Sequence, residues 1–336
     1  MAKVAINGFG RIGRLVLRIG LERKELEFVA INDIANGKIL AHLFKYDSIH
    51  HQVPYQVKGL EDRIIINGKD ILVFNEKELK NLPWGNLNVD IVIEATGVFR
   101  KKEELEYHIK NGAKKVILTA PPKDEKEIKS FVLGINENDY EPEKDHIISN
   151  ASCTTNCLLP LIKVLHENFK IKHGYMTTIH AYTNDQKILD APHKDLRRAR
   201  ACALSIIPTS TGAAKMIGVI FPELKGKISG ISLRVPVANV SIVDLSCEVE
   251  KRTTKEEVNE AFKRASETYL HKYLQYVEEE LVSQDFIGNP YSCIFDATLT
   301  EVIDGNFVKV YGWYDNEWGY SCRVVDLACL VSQKLK

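Results

Sequence analysis

The chain has 336 residues, 45% of them hydrophobic and 27% charged, which suits two domains better than one hydrophobic core. Its 45 basic and 45 acidic residues balance, so net charge gives no reason to expect a nucleic-acid or membrane partner. The seven cysteines lack disulfide or zinc-finger spacing, so no metal site is expected. Because no signal-peptide pattern or membrane-length apolar run is found, we expect a cytoplasmic protein.

The first half of the chain alternates short apolar strands with helices. Strands are predicted at 3–7, 27–32, 63–66, 71–74, 89–97, 114–120, 131–136 and 145–150. Helices are predicted at 11–22, 38–47 and 102–111. This alternation is typical of a mostly parallel sheet that is covered on both faces.

After Asn150 the pattern changes. Helices are predicted at 153–169, at 254–269 with a Thr254–Glu257 capping box, and at 316–335. Strands are predicted at 174–183 and 306–314, and residues 228–250 alternate as in an antiparallel sheet with one wet face. The polar stretch 183–203 is expected to be a long loop.

A glycine motif, Gly8-x-Gly10-x-x-Gly13, directly follows the first strand and opens the first helix. Gly8 suits a tight turn, Gly10 lets a pyrophosphate approach the main chain, and Gly13 lets the helix pack close to the strand. Asp33 ends the second strand, where a carboxylate accepts hydrogen bonds from an adenosine ribose and repels a 2′-phosphate. The motif therefore indicates an NAD site, the alternative being a structural turn.

A cysteine lies at a predicted helix start in Ser149-Asn150-Ala151-Ser152-Cys153-Thr154-Thr155-Asn156-Cys157. The helix dipole is expected to stabilise the Cys153 thiolate, which is the nucleophilic form, by lowering the thiol pKa. Cys157, one turn later, is interpreted as a small buried apolar residue. His180, in a strand, is a candidate base, although a sheet histidine with a purely structural role is the plainer interpretation.

Basic and hydroxyl residues form a third group. The cluster 195–200 is either a solvated surface or a binding site, and residues 209–214 resemble a helix start able to bind an anion. Arg234 interrupts an apolar strand and so requires a partner, for which an anionic ligand is one candidate.

Together these segments closely resemble the phosphorylating glyceraldehyde-3-phosphate dehydrogenases, nearly from end to end. The similar stretches are NGFGRIGR (7–14), FKYDS (44–48), EATGVF (94–99), SNASCTTNCL (149–158), TIHAYTND (178–185), HKDLRRAR (193–200), IIPTSTGAAK (206–215), RVPVANVSIVDL (234–245) and WYDNEWGYS (313–321). The combination of SCTTNC with the distant TIH and WYDNEWG is highly specific.

The resemblance implies an α/β fold with a Rossmann-type NAD-binding domain and an α+β catalytic domain. The first domain has a mostly parallel sheet and comprises residues 1–150 completed by helix 317–336. The second, at 151–316, has an antiparallel-rich sheet. The implied reaction converts D-glyceraldehyde 3-phosphate, NAD and inorganic phosphate to 1,3-bisphosphoglycerate and NADH through a thioester on Cys153, with His180 as base. The family's S-shaped loop corresponds to about 183–203, and a homotetramer is implied.

The resemblance also assigns ligands to individual residues. Implied cofactor contacts are Gly8, Gly10, Arg11, Ile12, Gly13, Asp33, Lys77, Thr119 and Asn316, the last at the nicotinamide carboxamide. Thr183 and Arg197 are implied to bind the substrate phosphate, and Ser152, Thr154, Thr211 and Gly212 the inorganic phosphate. Arg234 is implied to serve both anions, because an arginine fork matches phosphate oxygens.

Several positions depart from the family pattern. Lys77 stands where the family often has Arg, and Thr119 where it often has Ser. Val237 replaces the usual Thr, His51 the usual Gly and Cys322 the usual Asn, and these three changes leave details of the substrate pocket and the interfaces open. Erythrose-4-phosphate dehydrogenase is the nearest alternative. Two further alternatives are a thiol hydrolase and a non-catalytic interaction protein. The glycine motif disfavours the thiol hydrolase, and the intact Cys153 and His180 disfavour the non-catalytic protein.

Overall fold

The computed structural model describes residues 1–124 and 126–335. Over these residues it has seven α-helices: α1 (Arg11–Gly20), α2 (Gly37–Lys45), α3 (Lys102–Lys110), α4 (Cys153–Phe169), α5 (Ala213–Ile220), α6 (Lys255–Glu267) and α7 (Trp318–Gln333). No helix in this part of the chain is both long and apolar enough to cross a membrane.

The same residues form seventeen strands. They are β1 (Ala2–Asn7), β2 (Leu26–Asn32), β3 (Val57–Gly59), β4 (Arg63–Ile66), β5 (Lys69–Phe74), β6 (Ile91–Glu94), β7 (Lys115–Leu118), β8 (Lys129–Ser130), β9 (Ile147–Ser149), β10 (Ile171–Ala181), β11 (Ile207–Thr209), β12 (Ile228–Val235), β13 (Ser241–Val249), β14 (Leu274–Val277), β15 (Cys293–Asp296), β16 (Glu301–Ile303) and β17 (Phe307–Tyr314).

The described residues fold into two compact units. The first comprises Met1–Phe131, Glu137–Ala151 and Ser321–Lys336, and the second comprises Val132–Asn136 and Ser152–Tyr320. The division into an NAD-binding domain, 1–150 with 317–336, and a catalytic domain, 151–316, stays a prediction.

The first unit contains a nine-stranded sheet in the order β3-β4-β5-β2-β1-β6-β7-β9-β8 over the described residues. Neighbouring strands from β5 to β8 run parallel, and only β3 and β4 add antiparallel pairs at one edge. All residues of β6 and β7 are buried, as expected for strands with both faces covered. This confirms the predicted mostly parallel sheet and aligns the carboxyl ends of its strands along one edge.

The second unit contains an eight-stranded mixed sheet in the described part of the chain. Its order is β11-β12-β10-β13-β17-β15-β14, with β16 beside β17. Most pairs are antiparallel, which confirms the predicted sheet type. However, β10 and β12 pair in parallel, and this places His180 directly beside Arg234.

Local sequence signals set several boundaries well. Helix α4 spans the predicted 153–169, and the capping box at α6 is present, with the Thr254 side chain accepting from the Glu257 N–H and the Glu257 side chain accepting from the Thr254 N–H. The predicted strand 131–136 is wrong. Those residues form a turn, because Gly134 has a φ of +86° and the Asn136 side chain accepts a hydrogen bond from the Val132 N–H.

Candidate active site

The candidate nucleophile is the first residue of helix α4. Ser152 caps this helix, its Oγ accepting a hydrogen bond of 3.1 Å from the Thr155 N–H. Cys153 is half-buried, with its Sγ 3.5 Å from the Nε2 of His180. A thiol and an imidazole at this separation can exchange a proton, so the structure brings the two predicted catalytic residues together.

His180 is held from its other ring nitrogen. Its Nδ1 lies 2.7 Å from the carbonyl oxygen of Ala181 and also contacts a guanidinium nitrogen of Arg234. Arginine only donates, so it can bond Nδ1 only when that nitrogen carries no hydrogen. With the hydrogen on Nδ1, the ring donates to Ala181 and its Nε2 is free to accept the thiol proton. Each tautomer thus satisfies one of the two contacts of Nδ1 and opposes the other.

Burial sets the charge state of this pair. The His180 side chain is almost fully buried and faces the charge of Arg234, and these two effects lower its pKa to about 3. Burial also raises the pKa of the Cys153 thiol, against the opposing charge of Arg234. The expected lowering of the thiol pKa by the helix start is therefore wrong for this structure, since desolvation outweighs it. The resting pair is a neutral thiol beside a neutral imidazole.

A buried tyrosine, which the sequence did not single out, ties the two catalytic elements together. The hydroxyl of Tyr314, on β17, lies 2.9 Å from Thr154 Oγ1 and 2.8 Å from Thr178 Oγ1. Its ring meets the His180 ring edge-on at a centroid distance of 5.9 Å. The Tyr314 hydroxyl thereby links the start of α4 to β10, and the hydroxyl of Thr154, a predicted phosphate ligand, is directed to it.

The predicted anion-binding residues are distributed over neighbouring segments. Arg234 donates to the Ala181 carbonyl oxygen at 3.2 Å and so lies at the catalytic pair. The main-chain N–H of Thr183 donates to the side chain of Gln186 at 3.1 Å. Gly212 is the N-cap of α5, and the Thr211 Oγ1 accepts from the Ala213 N–H at 3.2 Å.

The cluster 195–200 is more than a solvated surface. Arg197 is exposed and lines an open pocket of about 490 Å³ together with Thr209 and Ser210. Arg198 is half-buried and donates to Thr209 Oγ1 at 2.8 Å, and it also pairs with Asp185. Neither Thr183 nor Arg234 lines that pocket.

In the first unit, the glycine motif forms the predicted strand–turn–helix. Gly8 has a φ of +92°, and a Cβ there would lie 2.5 Å from the Thr96 nitrogen. A Cβ at Gly13 would lie 2.2 Å from the Gly8 oxygen, which explains the close packing of α1 on β1. Around Gly10, by contrast, a Cβ would meet nothing within 4 Å. That open space before the helix N-terminus fits a dinucleotide pyrophosphate.

The remaining predicted cofactor residues have varied surroundings. Asp33 accepts from the Phe9 N–H at 2.7 Å, and the Arg11 side chain pairs with Asp47 at 2.6 Å. Lys77 is exposed. Thr119 donates from Oγ1 to the Glu94 carbonyl oxygen at 3.1 Å.

Asn316 lies in the second unit and is buried. Its Oδ1 accepts from the Ser241 hydroxyl at 2.8 Å, so the amide presents only its NH₂ for further hydrogen bonds by donation. In the described residues no cluster of three or more His, Cys, Asp or Glu side chains could hold a metal ion.

Comparisons with known proteins cover nearly the whole chain. Residues 2–102 match the family model for the NAD binding domain of glyceraldehyde 3-phosphate dehydrogenase, and residues 152–316 match the model for its C-terminal domain. Glyceraldehyde-3-phosphate dehydrogenase 2 of Streptomyces avermitilis is 56% identical over 334 residues, 99% of each chain. The glyceraldehyde-3-phosphate dehydrogenase of Geobacillus stearothermophilus is 55% identical over 332 residues, 99% of this chain and 98% of its own.

Proposed function

The chain belongs to the glyceraldehyde-3-phosphate dehydrogenase family, and from this we propose that Cys153 and His180 carry out the family's reaction. It is an NAD-dependent phosphorylating dehydrogenase that oxidises D-glyceraldehyde 3-phosphate to 1,3-bisphosphoglycerate. The observation that supports the residue assignment best is the 3.5 Å separation between Cys153 Sγ and His180 Nε2. The alternative, an erythrose-4-phosphate dehydrogenase, is not favoured by these relatives.

The proposed reaction begins with a proton transfer. Cys153 Sγ forms a bond to the aldehyde carbon as its proton passes to His180 Nε2 and the carbonyl π electrons move to oxygen. That oxygen then takes the proton from His180, giving a neutral thiohemiacetal. His180, returned to the neutral form, then takes the hydroxyl proton as the carbon loses hydride, giving a thioester. NAD, when bound, supplies the two-electron acceptor for that hydride. An oxygen of inorganic phosphate finally bonds to the thioester carbon, and the Cys153 sulfur leaves as a thiolate, which takes the proton from His180 and restores the resting pair.

The pair is uncharged at rest, and this sets how the reaction must begin. Burial and the charge of Arg234 keep the imidazole unprotonated at physiological pH, so a ring nitrogen is open to a proton, but the same two effects make it a weak base. A phosphate anion bound beside Arg234 would offset that charge and strengthen the base. Because the thiol is protonated at rest, the sulfur becomes nucleophilic as its proton moves to His180. We propose Thr183, Arg197 and Arg234 for the substrate phosphate, and Ser152, Thr154, Thr211 and Gly212 for inorganic phosphate.

The proposed NAD ligands of the first unit are grouped along the carboxyl edge of its sheet. They are Gly8, Gly10, Arg11, Ile12, Gly13, Asp33, Lys77 and Thr119. The open space at Gly10 supports a pyrophosphate position there, and the Asp33 carboxylate supports NAD over NADP. Asn316 is proposed for the nicotinamide carboxamide through its free amide donor.

We also propose a cytoplasmic homotetramer. The loop 183–206 exposes five large apolar side chains, which is unusual for a surface that faces only water. They are Ile188 (78% exposed), Leu189 (71%), Leu196 (82%), Leu204 (79%) and Ile206 (67%). A second copy of the chain would cover this surface, and light scattering of the purified protein measures the number of subunits.

The deciding experiment follows NADH absorbance with glyceraldehyde 3-phosphate, NAD and inorganic phosphate. We expect turnover that requires phosphate, falls when NADP replaces NAD, and falls when erythrose 4-phosphate replaces the triose. Cys153→Ala should abolish turnover while calorimetry still detects NAD binding. Phosphate-independent turnover, or full activity in the alanine variant, would refute the proposal.

A further inference from the structure

A buried chain of hydrogen bonds connects the ends of the strands that carry the proposed cofactor loops. It starts at Trp84, whose indole Nε1–H donates to His108 Nδ1 at 2.9 Å. An indole nitrogen only donates, so His108 Nδ1 must accept and its Nε2 carries the hydrogen. That Nε2 lies 3.1 Å from Glu94 Oε2, to which it donates. All three side chains are fully buried.

The carboxylate of Glu94 is the centre of this chain. Its Oε2 also accepts from the Asn7 side-chain amide at 2.6 Å. Its Oε1 accepts from the Thr96 N–H at 2.9 Å and from the Thr96 hydroxyl. Every polar neighbour of the Glu94 side chain in these bonds can donate to it, so both carboxylate oxygens act as acceptors.

Two asparagines extend the chain across the sheet. The Asn32 amide donates to Asn7 Oδ1 at 2.7 Å and to the Glu76 carbonyl oxygen at 2.9 Å. Asn32 Oδ1 in turn accepts from the Glu76 N–H at 2.9 Å. Asn7, Asn32 and Glu94 are the last residues of β1, β2 and β6, and Glu76 follows β5 by two residues.

Each of these positions directly adjoins a proposed cofactor loop. Gly8 follows Asn7, Asp33 follows Asn32, and Lys77 follows Glu76. The turn of Thr96 after Glu94 packs so tightly against Gly8 that a single added methyl there would collide with it. The Glu94 carboxylate is therefore connected to every one of these loops by hydrogen bonds or direct packing.

We infer that Glu94, oriented by the Trp84–His108 pair, is a positioning residue that holds the separate NAD-contacting loops in one register. This inference rests on the proposed function, because it concerns affinity for the same cofactor. Glu94 touches no cofactor in this account. It acts through Asn7, Thr96 and Asn32, which link the strand ends.

The test is Glu94→Gln, which keeps the shape but replaces one acceptor oxygen by a donor amide. Whichever way the new amide turns, its NH₂ faces donors, either at Asn7 and His108 or at Thr96. We expect the Kd for NAD, measured by calorimetry, and the KM for NAD to rise about tenfold or more. We expect kcat at saturating NAD, and the rate of Cys153 alkylation without NAD, to stay within about twofold of the wild-type values.

Lys115→Met is the matched control. Lys115 is another buried polar residue of the same sheet, but it lies at the amino end of β7, where its Nζ donates to the carbonyl oxygens of Pro142 and Asp145. Its loss should lower the Tm without changing the Kd for NAD. If Glu94→Gln does not fold, Trp84→Phe, which removes the distal donor together with part of a buried ring, should raise the Kd for NAD about threefold.

The outcomes separate the two proposals. Wild-type protein that binds no NAD would overturn the proposed function itself. Wild-type protein that binds NAD, with an unchanged Kd in Glu94→Gln, would overturn only the positioning role. A Kd that rises equally in Lys115→Met would also overturn it, because the effect would then follow general destabilisation.

Discussion

Replacing His180 by Gln should remove a specific part of the acid sensitivity of the fold. The imidazole has an ordinary pKa of 6.5 but titrates at about 3 in the folded chain, where it is 4% exposed. Between these values an unfolded chain binds a proton there and the folded chain does not, so acidification favours unfolding. At pH 5 this costs about 2 kcal/mol, and at pH 7 only about 0.2 kcal/mol.

The assay is urea unfolding of the cofactor-free protein at pH 7 and pH 5. His180→Gln should lose about 2 kcal/mol less than wild type over this interval, because glutamine does not titrate. Cys153→Ser is the control, since it removes the thiol but retains the buried imidazole and should therefore lose stability as wild type does. Parallel losses in wild type and His180→Gln would refute the claim that burial keeps this imidazole neutral.

Two other substitutions test the packing around the site. Tyr314→Phe removes the hydroxyl shared by Thr154 and Thr178 and should lower the free energy of unfolding by about 2 kcal/mol, with a lower kcat. The control is Tyr140→Phe, because the buried Tyr140 hydroxyl has no hydrogen-bond partner in the described structure. This variant should change the free energy of unfolding little, and equal losses in the two variants would contradict this account. Thr254→Ala removes the cap of α6 and should cost about 1 kcal/mol in denaturant unfolding with turnover unchanged. A stability equal to wild type would show that the capping box contributes nothing.

Features encoded by neighbouring residues were predictable from the sequence. The glycine motif needs only a strand before it and a helix after it, and the structure has both. Helix α4 begins at its serine cap and ends as predicted, because the capping and apolar spacing are local signals. The resemblance of scattered segments to one family then indicated which of ten histidines faces the cysteine.

Features that depend on distant parts of the chain were not predictable. One local feature was missed as well: the segment 131–136 is as apolar as a strand, but the Val132 N–H donates to the side chain of Asn136, four residues on, and the segment forms a turn. Thr154 and Tyr314 are 160 positions apart, so no spacing rule connects them. The pKa of Cys153 was misjudged because the helix start is visible in the sequence, whereas the desolvation that outweighs it comes from tertiary packing.

The segmented first unit has a consequence for the order of biosynthesis. Residues 321–335 belong to this unit, and within them the side chains of Val324, Val325 and Leu327 are completely buried. A ribosome releases the amino-terminal strands early, yet they lack these apolar partners until the whole second unit has been made. The half of the protein that is made first is therefore the half that matures last, and a nascent chain stalled before residue 321 retains an uncovered apolar surface for chaperones to bind.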